Sequence, residues 1–171
     1  MEWYVVERAA DDDGRPLAAR SLVAEAADRE VVAALCTSHR SLFELRAVRA
    51  GQVELRDLIG GATFAVDEVG EVGALVGVNV GDVAELRLVG VDGHVRFGRT
   101  FVFHPALARD AIVARIRAGL VAGRRRGELV DEVARLRLDY ERASDPRMGV
   151  TRSRMTAARR VYDRGLGGRE R

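Results

Sequence analysis

The chain has no lysine: its 28 basic residues are all arginine. The simplest reason is GC-rich codon usage, but the absence has chemical consequences. A Walker A loop needs its lysine. So does a Schiff base to pyridoxal phosphate, and so does the protein-kinase signature. One cysteine, Cys36, among 171 residues permits no internal disulfide and builds no structural zinc site by itself. No apolar run approaches the roughly 20 residues needed to cross a bilayer, and Met1-Glu2-Trp3-Tyr4 lacks a secretory profile. The expected location is cytoplasmic, with no membrane contact. Aromatics are sparse, at 5% of the chain, and there are three histidines.

What is present suits one soluble domain: 47% hydrophobic and 32% charged residues. A chain of this length buries about 70% of its unfolded surface and needs no covalent staple. The net charge of +2 hides an asymmetry. Residues 105–171 hold 17 Arg against 9 acids, while residues 1–104 hold 11 Arg against 17 acids. The acidic front and the basic back suit each other, or the basic back suits an acidic partner.

The stretch from Leu42 to Phe103 alternates with the period of strands. Five short strands are expected: 42–50, 53–58, 62–69, 83–91 and 94–103. In the first, Phe43, Leu45 and Ala47 share a face opposite Glu44 and Arg46, and Val48 falls on the second face, as a bulge or two-sided burial would place it. Ala84, Leu86 and Leu88 likewise alternate with Glu85 and Arg87. Asp92-Gly93 is a type I′ hairpin signal. Between Val69 and Gly81 lies an apolar, glycine-rich loop that matches no phosphate fingerprint and reads as a cover for one end of a barrel, or else as a binding loop. The fold class is α+β: a small antiparallel five-stranded sheet or partly open barrel (about 42–104), with N-terminal helices and a C-terminal helical hairpin.

The flanks read as helix. Pro16–Ala27 is one expected helix; Asp28 caps a second, with Val31, Val32 and Leu35 as its buried side. Pro105 opens a third, with Leu107, Ala111, Ile112, Ile116 and Leu120 as its stripe. After the basic joint Arg124-Arg125-Arg126 comes a fourth, with Leu129, Val133, Leu136 and Tyr140 as a clean stripe that suits the preceding helix or a partner's. Residues 1–145 are thus one domain, divided at 41/42 and 104/105. Residues 146–171, with 8 Arg and 2 acids, read as a mobile basic tail.

Candidate chemistry is thin. Trp3 and Tyr4 read as core. Asp11-Asp12-Asp13-Gly14 lacks the remaining calcium ligands and reads as a solvated turn. Cys36 and His39, one helical turn apart, form a thiolate–imidazole pair in the sharp reading. In the preferred reading they are a small buried thiol and a helix-end histidine. His94 and His104 share a metal only if Gly98-Arg99 is a turn; a continuous strand keeps them about 33 Å apart. No cofactor, metal or catalytic residue is assigned.

The span of about 40–104 resembles an uncharacterised bacterial domain family of small β-barrel pattern. The matching residues are Ser41-Leu42-Phe43-Glu44-Leu45, Leu55-Arg56-Asp57-Leu58 with Gly61, and Gly81-Asp82 with Arg87-Leu88-Val89. Some relatives lie beside an SEC-C-type zinc motif, for which this chain lacks the cysteines. The family also has an upstream Phe-x-x-Trp segment, of which only Glu2-Trp3-Tyr4 is left; the resemblance implies that the natural start lies farther upstream. It implies a fold and no activity. The pattern emphasises Asp57 and Asp82, which read as turn-closing carboxylates beside glycines.

Three function classes follow. The first is a non-enzymatic interaction module with a protein partner. The second is sequence-independent nucleic-acid binding by Arg124, Arg125, Arg126, Arg152, Arg154, Arg159 and Arg160. The third is an enzyme, requiring His39, Cys36 and Asp57 to converge. Two or more exposed barrel aromatics favour nucleic acid; convergence of the three favours the enzyme.

Overall fold

The computed structural model describes residues 26–49, 51–67, 79–144 and 161–162. Its centre is a curled, antiparallel half-barrel in the strand order β3-β2-β1-β4-β5. The strands are β1 (His39–Arg49), β2 (Gln52–Asp57), β3 (Thr63–Asp67), β4 (Val83–Val91) and β5 (His94–His104). All five expected strands are present. β1 is the pivot: its first half pairs with β4 and its second half with β2. The register of β1 shifts between Leu45 and Ala47 rather than at Val48, which pairs with Val53 and is exposed. Asp92 and Gly93 both have positive φ, 53° and 76°, as a type I′ turn requires. β5 runs unbroken from His94 to His104, pairing with Val91 and Val83 respectively, so the two histidines sit at opposite ends.

β1 is buried on both faces from Ser41 to Leu45. Phe43 and Leu45 point into the curl with Val53, Leu55, Val66, Ala84, Leu86 and Leu88. Leu42 points the other way and joins Val83 under the helices. The helices are α1 (Ala26–Cys36), α2 (Arg109–Val121, after a 3-10 turn at Ala106–Ala108) and α3 (Arg126–Ser144). Ile112 and Ile116 of α2 and Leu129, Val130, Val133 and Leu136 of α3 fill this second core. At Gly119 the two helices nearly touch: a Cβ there would fall inside the Leu129 side chain. This close approach explains a glycine in a helix, where it costs about 1 kcal/mol against alanine.

Several expectations change. Asp28 lies inside α1, not at its cap. Val31 is exposed, because α1 leans on β4 through its other side. Leu107 and Leu120 are exposed too, and the stripe of α2 turns instead on Ile112, Ile116 and Gly119. The stripe of α3 is spent within the chain, so it offers no partner a free apolar face. Glu44 and Glu85 lie on the face opposite the curl, yet both are buried, since that face is roofed by helices rather than water. Residues 1–25, the glycine-rich stretch 68–78 and most of the basic segment 146–171 lie outside the described residues. With them go the readings of Trp3–Val6, Asp11–Gly14 and the helix from Pro16.

No helix among the described residues is long and apolar enough to cross a membrane.

Candidate functional site

The densest polar cluster lies where β1 begins and β2 ends. Phe43 is paired with Asp57, so period-two alternation brings Ser41 and His39 to the same face, one and two steps up β1. Asp57 is 1% exposed. Its Oδ1 accepts from Ser41 Oγ at 2.6 Å and from the Ile59 amide at 2.9 Å. Its Oδ2 lies 2.9 Å from His39 Nε2. Arg126, the first residue of α3, reaches over the mouth of the curl and places Nη2 3.5 Å from the same oxygen. Burial pushes the Asp57 carboxyl up, but bonds from Ser41, from the amides of Gly60 and Ile59 and from His39 outweigh it and hold the group below its usual range.

Arg126 Nη1 stands 2.7 Å from His39 Nδ1 and 3.0 Å from its Nε2, and the guanidinium, which has no acceptor, can only donate to the ring. Gly60 makes room for this arrangement: a Cβ there would stand 2.7 Å from Asp57 Oδ2 and 2.8 Å from Arg126 Nη2. The ring of His39 also packs against Phe43 and Phe64, at 5.7 and 5.3 Å between centroids.

This constellation contains Ser, His and Asp but not in a hydrolytic order. A triad needs the histidine between nucleophile and carboxylate. Here the carboxylate stands in the middle, Ser41 donates to it directly, and Ser41 is fully buried. The thiolate–imidazole pair of the sharp reading is not formed, and the preferred reading changes too: α1 ends at Cys36, which is half-buried, the chain turns at Thr37-Ser38, and His39 opens β1 rather than ending a helix. Cys36 is free, and none of the polar contacts of His39 or Asp57 involves it. Among the described residues no group of three His, Cys, Asp or Glu is placed to hold a metal ion.

Asp57 and Asp82 both close turns, as their glycine-flanked positions suggest. Asp57 binds the Ile59 amide within its turn. Asp82 accepts from the Asn79 amide at 2.8 Å and from the Ala106 amide at 2.9 Å, tying the loop before β4 to the 3-10 turn.

A second ionic set lies under the helices. Arg40 binds Glu85 through Nε at 2.9 Å and Asp131 of α3 through Nη1 at 2.9 Å. Glu44 binds Arg109 of α2 at 2.6 Å. No local pattern signals these pairs, whose members stand 45 to 91 residues apart.

The three arginines of the joint have different fates. Arg124 pairs with Glu132 and Glu128 of α3. Arg126 serves the Asp57 cluster. Arg125 is exposed; its amide is engaged by Glu128 Oε2 at 3.2 Å. Beside it opens a groove of about 400 Å³, walled by Ser38, His39 and Arg40 on one side and by Arg125, Arg126, Gly127, Glu128 and Val130 on the other. Arg152, Arg154, Arg159 and Arg160 lie outside the described residues. No described phenylalanine is fully exposed: Phe43 is buried, and Phe64, Phe97, Phe101 and Phe103 are half-buried against the inner core.

Compared with known proteins, the chain matches no family model, no curated protein and no solved structure.

Proposed function

We propose that the chain is a non-enzymatic interaction module of the cytoplasm, receiving an acidic segment of a partner protein in the groove between β1 and the start of α3. The observation that carries this is Arg125. It sits with its charge exposed at the positive end of a helix dipole, where a cation is unfavourable and an anion favourable. The Arg125 amide is already taken by Glu128, so what a docked carboxylate answers is the exposed guanidinium charge. α2 and α3 act as one helical hairpin that carries the outer wall. The reading needs no cofactor.

The nucleic-acid reading is weaker on the barrel, because base stacking needs exposed aromatic faces and the phenylalanines are turned inward. The two separate in one experiment: affinity capture from native extract with wild type and Arg125→Glu, each with and without nuclease. A protein retained after nuclease and lost with Arg125→Glu supports the proposal. Capture abolished by nuclease, together with salt-sensitive binding of RNA or DNA, overturns it in favour of nucleic acid.

A further inference from the structure

Val161 and Tyr162 belong to the segment expected to be a mobile tail, yet both are buried in the core beneath α2 and α3. Tyr162 occupies an aromatic socket. Its ring stacks on His104 at 6.0 Å and 13°, and it meets Tyr140 at 4.9 Å. Arg137 lies over its other side, 5.8 Å from the ring centroid. Its hydroxyl is 2.6 Å from His104 Nδ1. His104 is 1% exposed, and its Nε2 is buried with no hydrogen-bond partner among the described residues.

We propose that His104 and Tyr162 form a proton-operated latch: the neutral imidazole keeps Val161 and Tyr162 seated on the core, and its protonation unseats them. A neutral ring has one donor and one acceptor, so a single orphan nitrogen is its whole cost. An imidazolium has two donors, and the one on Nε2 would be a buried charge-bearing N–H with no acceptor. The surrounding groups do not relieve it. α3 presents Arg137, a second cation, whose own partner Glu141 is 2.9 Å away at the surface, and the neutral Tyr140. β4 presents only Val83 opposite His104. Burial, and then the charge of Arg137, push the His104 pKa down to about 4. Tyr162 touches His104 through both its ring and its hydroxyl, so its seat is where the charged ring is felt.

The test follows the three histidines and three tyrosines of the full chain by NMR from pH 7 to 3, with far-ultraviolet circular dichroism reporting the sheet. Tyr162 is expected to lose its buried resonances as His104 titrates near pH 4, with the sheet signal intact. In His104→Phe, which keeps an aromatic floor without a titrating nitrogen, Tyr162 is expected to stay seated over that range. Tyr162→Phe, which keeps the ring and removes the hydroxyl bond to the neutral imidazole, is expected to release at higher pH. Release at the wild-type midpoint in either variant, or Tyr162 leaving only when the sheet itself is lost, overturns the latch.

Discussion

Two aspartate–histidine pairs of nearly equal length sit on the same curled sheet. His39–Asp57 is 2.9 Å and His94–Asp67 is 2.7 Å. The first joins the start of β1 to the end of β2, both inner strands; the second ties the two edge strands, β3 and β5, across the open side of the half-barrel. Their side chains differ in exposure, 29% and 1% for His39 and Asp57 against 57% and 37% for His94 and Asp67. Distance alone therefore says little about what either pair does. A buried carboxylate has no substitute: every partner it holds would be orphaned without it. An exposed one trades its partner for water at almost no cost.

The sharpest way to break the comparison is to remove both carboxylates separately. Asp57→Ala leaves Ser41 Oγ, the Ile59 amide, His39 and the Arg126 guanidinium without their shared acceptor. A loss of about 3–5 kcal/mol, as for removing one partner of a buried pair, is expected in urea denaturation. Asp57→Asn, which keeps the acceptor oxygen and the size, should lose less. Equal losses would mean that charge, not hydrogen bonding, holds the mouth of the curl closed.

Acid should separate the buried groups by pH window. The His104 pKa is depressed from 6.5 to about 4 in the fold. Between those values the unfolded chain binds more protons, so stability is full above 6.5 and falls as pH drops towards 4, by about 3 kcal/mol at 1.36 kcal/mol per unit. The Asp57 carboxyl is lowered from 3.8, so its share is full above 3.8 and is lost only as pH falls farther. Urea midpoints from pH 7 to 3 should show a first decline that His104→Phe removes and a later one that it leaves. A single decline below pH 4, unchanged in His104→Phe, would refute the assignment.

Helix contact should matter somewhat less. Gly119→Ala drives a methyl into Leu129, and overpacking costs about 1–3 kcal/mol, partly offset by the roughly 1 kcal/mol that alanine gains in a helix. A net loss of about 1 kcal/mol is expected, recovered when Leu129 is trimmed to Val in the same chain. Thermal melting of the two variants reads it.

Much of the sheet is legible in the sequence because its signals are local. Alternation and the Asp92-Gly93 turn each need only a few residues, and all five strands follow from them; the register shift between Leu45 and Ala47 does not lie at Val48, where alternation breaks. Which face is wet is not legible. Glu44 and Glu85 sit where alternation puts polar residues, and in a one-sided sheet they would face water. Here α2 and α3 roof that face, and the partners that make burial tolerable, Arg109 for Glu44 and Arg40 for Glu85, come from distant positions. The Asp57 cluster is half legible. Its turn-closing role follows from Asp beside a glycine turn; its coupling to His39 and Arg126 needs the strand register and the placement of α3. The spacing of Cys36 and His39 misleads, because it is helical whereas the helix stops between them. Tyr162 leaves no signal at all, since one aromatic in an arginine-rich stretch says nothing of the socket that receives it.

The smallest effect completes the contrast. Asp67 lies open to solvent screening, with its carboxyl held below its usual range first by the hydrogen bond to His94 and then by that to Gln52. Such a pair orders two side chains for little Coulombic return in water. Asp67→Ala and His94→Ala are each expected to leave the urea midpoint within experimental error at neutral pH, at low and at high salt. What the pair can still do is guide the seam. β5 and β3 share no ladder of backbone bonds in the sheet order, so a side-chain tie is what joins His94 to Asp67 across it. Amide hydrogen exchange tests that local role. Faster exchange confined to Thr63–Asp67 and the first residues of β5, with no change around Asp57, is the expected result. A global loss of protection would show that the fold depends on the exposed pair as heavily as on the buried one, and the contrast between the two pairs would fall.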